Sequence, residues 1–333
     1  MKFICLSPAI IFNTRNRIVG VTYQENYDAS INVYDNATFY DYDVHGNVSH
    51  LIQVNNHFAL KELNQHIKHF NYEYDLVSGN VNKVIFQKGE ADQYIHRYCY
   101  DADNRIIIAE TSKDDFIYEK DAKYFYYDHG PLARSEIGED KVQASDYAYT
   151  IQGWLKTVNG EQISENTMLG QDGLASTINS QGARDVNGFS LSYFDDDYQS
   201  ASTHLANNSS VNPSRMLNYS VGANAQLGLG LYNGNIRSMY TALVDNDENM
   251  GNNPALKTHQ TSYTYDQLNR IISMMGNYQE VGNYNQVSGY GSTYSYDANG
   301  NLQTLTRSVS SGINTPDMDN FSYIYNVGNN QLN

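Results

Sequence analysis

The sequence predicts an all-β chain, built as a ribbon of antiparallel β-hairpins. Three observations lead there. A phrase of the form Tyr-x-Tyr-Asp, a short polar turn and a Gly-Asn or Asn-Arg pair recurs along the chain. Its copies are nearly evenly spaced. Tyr occurs 30 times against a single Trp, while Pro occurs only five times in 333 residues, as suits a chain that must donate ladder hydrogen bonds. In the copy YSYDANGNL (Tyr294–Leu302), Tyr294 and Tyr296 lie two apart and so share one face of an extended strand. Asp297 offers a short side chain that bonds nearby backbone and starts a turn. Gly300 supplies the positive φ of a tight reversal, Asn301 follows, and Leu302 opens the return strand.

Each copy then takes its place in order. Tyr42, Asp43, Gly46 and Asn47 form the first, in YDYDVHGNV, and Tyr74, Asp75, Gly79 and Asn80 the second, in YEYDLVSGNV. YCYDADNRI carries Tyr100, Asp101 and Asn104, with Asn standing where Gly stood before. Looser copies are YFYYDHGPL with Tyr127, Asp128 and Gly130, YAYTIQGWL with Tyr149, Gly153 and Trp154, and LYNGNI with Tyr232, Gly234 and Asn235. YTYDQLNRI supplies Tyr265, Asp266 and Asn269, and YIYNVGNNQL supplies Tyr325 and Gly328. Most of the gaps between the turn-preceding tyrosines run from 22 to 33 residues, within the range of repeat architectures. The one wide gap, from Tyr149 to Tyr232, has room for a degenerate copy in FSLSYFDDDYQS (Phe189–Ser200). Nine hairpins of two strands each make about 18 strands, a long sheet and not a compact sandwich. Helix is expected only in short pieces, with Leu60–Phe70 the best candidate. Polar stretches at 207–213 and 245–254 read as surface loops.

Charge and composition exclude several classes. A net charge of −16 opposes a surface that tracks phosphates, so no nucleic-acid partner is expected. No apolar run reaches the length of a membrane span. Two cysteines, Cys5 and Cys99, are too few for a disulfide framework. The opening MKFICLSPAIIF lacks a small-residue cleavage site, so residues 1–13 read as an irregular segment and not a signal peptide, with the repeat region running from 14 to 333.

Chemistry-bearing groups are sparse. Asp195-Asp196-Asp197 has the residue types of a hard-cation site, but reads first as a solvated turn of an acidic chain. Asp245-Asn246-Asp247-Glu248 lacks the glycine and terminal glutamate of a calcium loop. His66 and His69 would share a face if Leu60–Phe70 were helical, with His57 nearby, but no cysteine or carboxylate completes a metal site. The repeated aspartates serve turns, and repetition argues against a unique catalytic role. No nucleophile elbow, phosphate loop or zinc-protease motif is present, so neither enzymatic activity nor a cofactor is expected.

The phrases YDANGNL, YDVHGNV and YDQLNRI resemble the YD repeat of bacterial Rhs proteins, of the C components of insecticidal toxin complexes, and of animal teneurins. The longer strings YDLVSGNVNKVIFQ, YYDHGPLARSEIG and DYAYTIQGWLKTVNG resemble the large Rhs-repeat proteins of the Bacteroidetes. The similarity runs from about Thr14 to Leu332. It implies a ribbon wound into part of a curved, hollow shell around a toxic C-terminal segment, with secretion or surface display. The partner would be the rest of the same polypeptide. A second implied class is an adhesion or carbohydrate-binding module facing a cell-surface receptor, with Tyr124, Tyr126 and Tyr127 as a stacking row. The D-P-x-G core motif of complete Rhs proteins does not follow Leu332. Asn16-Arg17-Ile18 matches the second half of a copy, and Tyr323–Leu332 the first, so the expectation is a piece of a longer wall.

Overall fold

A computed structural model describes residues 16–25, 34–160, 168–175, 177–198, 230–244, 256–280, 283–308, 317–326, 328 and 330–332. The segments 1–13, 207–213 and 245–254 lie outside the described residues. Among the described residues there are eighteen strands and one five-residue helix, so the all-β expectation holds. No described helix is long and apolar enough to cross a membrane.

The chain divides into two compact units, residues 1–124 with 137–139, and residues 125–136 with 140–333. The first is a meander in which each strand pairs antiparallel with the next. Its strands are β1 (Gly20–Tyr23), β2 (Asn36–Tyr42), β3 (Val48–Asn55), β4 (Ile67–Tyr74), β5 (Val81–Phe86), β6 (Tyr94–Tyr100), β7 (Ile106–Ser112) and the start of β8 (Glu119–Tyr126). In the second unit β9 (Leu132–Ile137) pairs with β10 (Gln143–Tyr149). The meander continues through β11 (Leu155–Val158), β12 (Asn187–Ser192), β13 (Ser238–Val244), β14 (Leu256–Tyr265) and β15 (Ile271–Glu280). It ends in β16 (Asn283–Tyr296), β17 (Leu302–Ser308) and β18 (Asp317–Ser322).

The repeated phrase always falls after an even-numbered strand. Tyr42 closes β2 and Val48 opens β3, and Tyr74 with Val81, Tyr100 with Ile106, Tyr149 with Leu155, Tyr265 with Ile271 and Tyr296 with Leu302 do the same. Within each unit these turns therefore lie at one end of the strands. The register carries a feature that the phrase does not announce. Tyr42 pairs with Val48, but Asp41 pairs with His50, so Ser49 is an extra residue, a β-bulge. The same slip precedes Tyr74, Tyr100, Tyr149, Tyr265 and Tyr296. The position after the turn tip is left-handed in every copy: φ is +100° at Gly46 and +89° at Gly300, and +63° and +62° where Asn104 and Asn269 replace glycine.

Three expectations need correction. The helix α1 covers Phe58–Glu62, not Leu60–Phe70. Asn64 turns left-handed at φ +54°, and from Ile67 onward the chain pairs with β3, because ladder bonds to a waiting strand outweigh a short local helix. In YFYYDHGPL the turn is shifted by one residue. Tyr126 closes β8, and the Tyr127 N–H donates to the Pro131 carbonyl just as the Asp43 N–H does to that of Asn47. Tyr127 thus stands where other copies place Asp, and Asp128 is exposed at the tip. Pro131 has no N–H, so the turn has no need of a carboxylate acceptor at that place. Finally, Tyr232 closes no strand: it is 76% exposed and its ring stacks on Phe194 at 4.5 Å. Tyr193, directly after β12, takes that role. The phrase is split by residues 194–231, and Gly234-Asn235-Ile236 forms its second half.

Gly300 tests the turn geometry cleanly, because a Cβ placed there meets nothing within 4 Å and any penalty is one of backbone conformation alone. Gly300→Val should cost about 1–2 kcal/mol or more in urea unfolding, whereas Gly300→Asn should lie within about 1 kcal/mol of wild type. Equal losses in the two variants would overturn the assignment.

Candidate functional site

The phrase builds a fastening device. In seven copies the hydroxyl of the tyrosine before the turn donates to the backbone carbonyl of the residue that follows the preceding turn. The pairs are Tyr42 to Ile18 at 2.7 Å, Tyr74 to Val48 at 2.8 Å and Tyr100 to Val81 at 2.8 Å in the first unit. In the second they are Tyr193 to Leu155, Tyr265 to Ile236 and Tyr296 to Ile271, all at 2.8 Å, and Tyr325 to Leu302 at 2.9 Å. Burial raises the hydroxyl pKa of Tyr74, Tyr100, Tyr265 and Tyr296, which keeps the O–H a donor. The half-copy Asn16-Arg17-Ile18 has the same geometry, with Asn16 at φ +64° and the Ile18 carbonyl stapled. Tyr127 differs, since it donates to Tyr147 at 2.7 Å and packs on Ala133 and Leu169.

Where an aspartate follows the tyrosine, it organises the turn. One oxygen of Asp43 accepts from the N–H groups of His45, Gly46 and Asn47, and the other accepts from the Asn47 amide. Asp297 repeats this with Asn299 and Asn301. Where Arg replaces Asn, the guanidinium takes the amide's place: Arg105 Nε lies 2.7 Å from Asp101 and Arg270 Nε 2.6 Å from Asp266. Neighbouring turns are also tied together. Asn80 donates to Asn104 at 2.9 Å, Asn235 to Asn269 at 3.0 Å and Asn301 to Asn330 at 3.1 Å. Arg270 in addition stacks over the Tyr296 ring at 4.7 Å. This constellation can hold and align successive hairpins. It presents no nucleophile paired with a base.

The other predicted groups do not converge on a site. Asp197 is buried and ion-paired to Lys156 at 2.7 Å, and Asp195 to Arg237 at 2.8 Å, so the acidic triplet is drawn apart by separate cations. His66 and His69 share no helix. His69, on β4, stacks instead on His50 of β3, with ring nitrogens 3.2 Å apart. Tyr124, Tyr126 and Tyr127 are partly buried, and none is an open stacking platform.

Sequence reasoning missed a buried charge cluster in the second unit. Arg134 on β9 is fully buried. It bonds Glu136 at 3.1 Å, Asp146 on β10 at 2.7 Å, and Asp172 through both terminal nitrogens at 2.5 and 3.1 Å. Burial works against the Arg134 charge, but the bonds to Asp172 and Asp146 outweigh it and raise its pKa. Burial pushes the Asp146 carboxyl up to about 7 against the pull of Arg134, and burial plus the charges of Asp172 and Asp146 pushes Asp185 up to about 8. Residues 168–175 and 177–185 close over this cluster, with Leu169 on Ala133 and Met168 on Ala242. The only signal in the sequence was Arg134 and Glu136 two apart on a strand, which reads equally well as a solvated face.

Two outcomes follow. Tyr296→Phe removes one staple and leaves the Ile271 carbonyl without its donor, so denaturant unfolding should show a loss of about 1 kcal/mol. The turn aspartates titrate below their usual range. The main causes are the backbone N–H of Ser78 on Asp75, that of Arg105 on Asp101, that of Arg270 on Asp266, and the Asn301 amide on Asp297. A depressed folded pKa means stability that is present above about pH 4 and is lost as pH falls further. The melting temperature should therefore drop below about pH 4, and Asp297→Asn should show a shallower acid slope than wild type.

No family model matches the chain, and no curated relative is found. Among solved structures, the crystal structure of TcdB2-TccC3 without its hypervariable C-terminal region matches 90% of this chain at 14% identity with a TM-score of 0.53. The chain spans 12% of the length of that protein. The pore of the Photorhabdus luminescens Tc holotoxin, with a substituted TccC3, is also matched, at 14% identity over 83% of this chain and 15% of that one, with a TM-score of 0.23. The described ribbon of stapled hairpins thus has the fold of part of a toxin-complex protein.

Proposed function

We propose that the chain is a segment of the wall of a toxin-type protein shell, whose task is to enclose a C-terminal segment of its own polypeptide. The observation that carries this is the staple: in seven copies a hairpin is fastened to the one before by a side chain-to-backbone bond that tolerates long segments between strands. The Tyr193 staple to Leu155 supports this, because it forms although residues 159–186 lie between β11 and β12. Such a wall extends by addition of hairpins, as repeat arrays do, and acts by excluding solvent and proteases and not by catalysis. The likeness to TcdB2-TccC3, a protein described with a hypervariable C-terminal region, supports the same reading. It also favours secretion or surface display. The adhesion alternative has less support, since the aromatic row at Tyr124, Tyr126 and Tyr127 is partly buried.

The test is limited proteolysis of the whole polypeptide encoded by the reading frame that contains this chain. Its C-terminal segment should resist protease while the repeat region is intact. It should become cleavable at least about tenfold faster when Gly300→Val loosens a turn, following the rise in open population. Cleavage of the segment at the same rate with and without an intact repeat region would refute enclosure.

A further inference from the structure

The buried cluster of the second unit holds more carboxylate than its cations neutralise. Glu136, Asp146 and Asp172 pair with Arg134, Lys141 lies 3.3 Å from Glu136, and Asp185 stands beside Asp146 and Asp172, so four acids meet two bases, a formal balance of −2 with every acid ionised. One oxygen from each of Asp146, Asp172 and Asp185 lies within 4.8 Å of the others, and all three residues are buried. Two oxygens stand out. Asp146 Oδ1, on a residue with no exposed surface, and Asp185 Oδ2, on a residue only 6% exposed, have no hydrogen-bond partner. A buried carboxylate oxygen left without a partner is costly, and a cation removes that cost directly.

We propose that Asp146, Asp172 and Asp185 form a structural site for one divalent cation of the calcium class. Three observations beyond the acid count support it. Arg134 binds the Oδ2 atom of Asp146 and so leaves Oδ1 free to face an ion. The spacing suits an ion that touches all three carboxylates, since oxygens on opposite sides of a calcium ion lie about 4.6–5.2 Å apart. The donors are all hard oxygens, without thiolate or imidazole. The frame is also built to hold them. Gly170, at φ +60°, is required by close approach: a Cβ there would overlap the Asp146 carboxylate and sit 2.7 Å from Arg134 Nη1. The Asn179 amide bonds the Gly170 carbonyl at 2.6 Å, and the Gly173 N–H bonds that of Asn179 at 3.1 Å, which fixes the turn bearing Asp172. An ion here would clamp Asp172 and Asp185 to β9 and β10.

The experiment uses the full chain stripped with chelator and dialysed, then titrated with calcium chloride by calorimetry and thermal melting at neutral pH. One ion per chain is expected, with a rise in melting temperature of about 5 °C or more at a hundredfold excess over Kd, and a smaller rise with magnesium. Asp185→Asn keeps the side-chain shape and should weaken calcium binding at least about tenfold, while its calcium-free melting temperature is no lower than that of wild type. Asp140→Asn, an exposed acid, should bind as wild type does. Absence of calcium-dependent heat and melting shift in the wild type would overturn the proposal. So would equal binding by wild type and Asp185→Asn, or equal weakening in Asp185→Asn and Asp140→Asn. Should Asp185→Asn fail to fold, terbium luminescence of the wild-type chain decides: saturation at one ion displaced by calcium supports the site, and no saturable signal refutes it.

Discussion

The bond from a tyrosine hydroxyl to the carbonyl after the previous turn is the constraint around which each unit is organised. A meander of hairpins gains its ladder bonds strand by strand, yet the bulge beside six of the motif turns disrupts that ladder where the chain reverses. At that place a backbone carbonyl would otherwise point toward solvent or an unpaired strand end. The tyrosine, arriving from the next repeat, supplies the missing donor and covers the turn with its ring. One residue thereby satisfies a polar group, adds apolar burial and sets the register between repeats. The aspartate, the left-handed Gly or Asn and the bulge all serve to present that carbonyl in the same way each time.

Turn-to-turn amide links add a second line of fastening parallel to the staples. Asn80 with Asn104, and Asn301 with Asn330, join tips that belong to successive hairpins. These contacts are exposed and individually weak. Their repetition suits an array in which each unit touches its neighbours and little else, so stability is spread along the chain instead of being concentrated in one core. The described buried apolar clusters are correspondingly small, such as Ala133 with Leu169 and Met168 with Ala242.

The second unit departs from this pattern at residues 168–175 and 177–185, which carry no strand and fold over the sheet, burying Arg134 together with its carboxylates. A charge network out of water is a poor source of stability but a strong source of specificity, because any rearrangement leaves ions unpaired. It gives one particular loop a single way to dock. That is a different logic from the staples, one of which forms across the long segment between β11 and β12.

How much could be read from the chain alone differs from residue to residue. The all-β class, the hairpin character and the turn roles of Asp43, Gly46, Asp297 and Gly300 follow from local chemistry, since a short carboxylate and a residue tolerant of positive φ are needed wherever a strand reverses. Where two local solutions were open, tertiary pairing chose between them. Tyr126 and Tyr127 are adjacent, and the strand register with Pro131 selected the first as the strand end. Tyr193 and Tyr232 compete for one role, and only the chain that reaches Leu155 can fill it. Asp146, Asp172 and Asp185 come together across 39 residues of sequence with no shared spacing, because their proximity arises from a loop closing onto a sheet. The sequence by itself determined the strands and turns, whose causes lie within a few residues of one another. The staples, the bulges and the buried charges were decided by the tertiary structure, since each depends on which distant backbone arrives beside it.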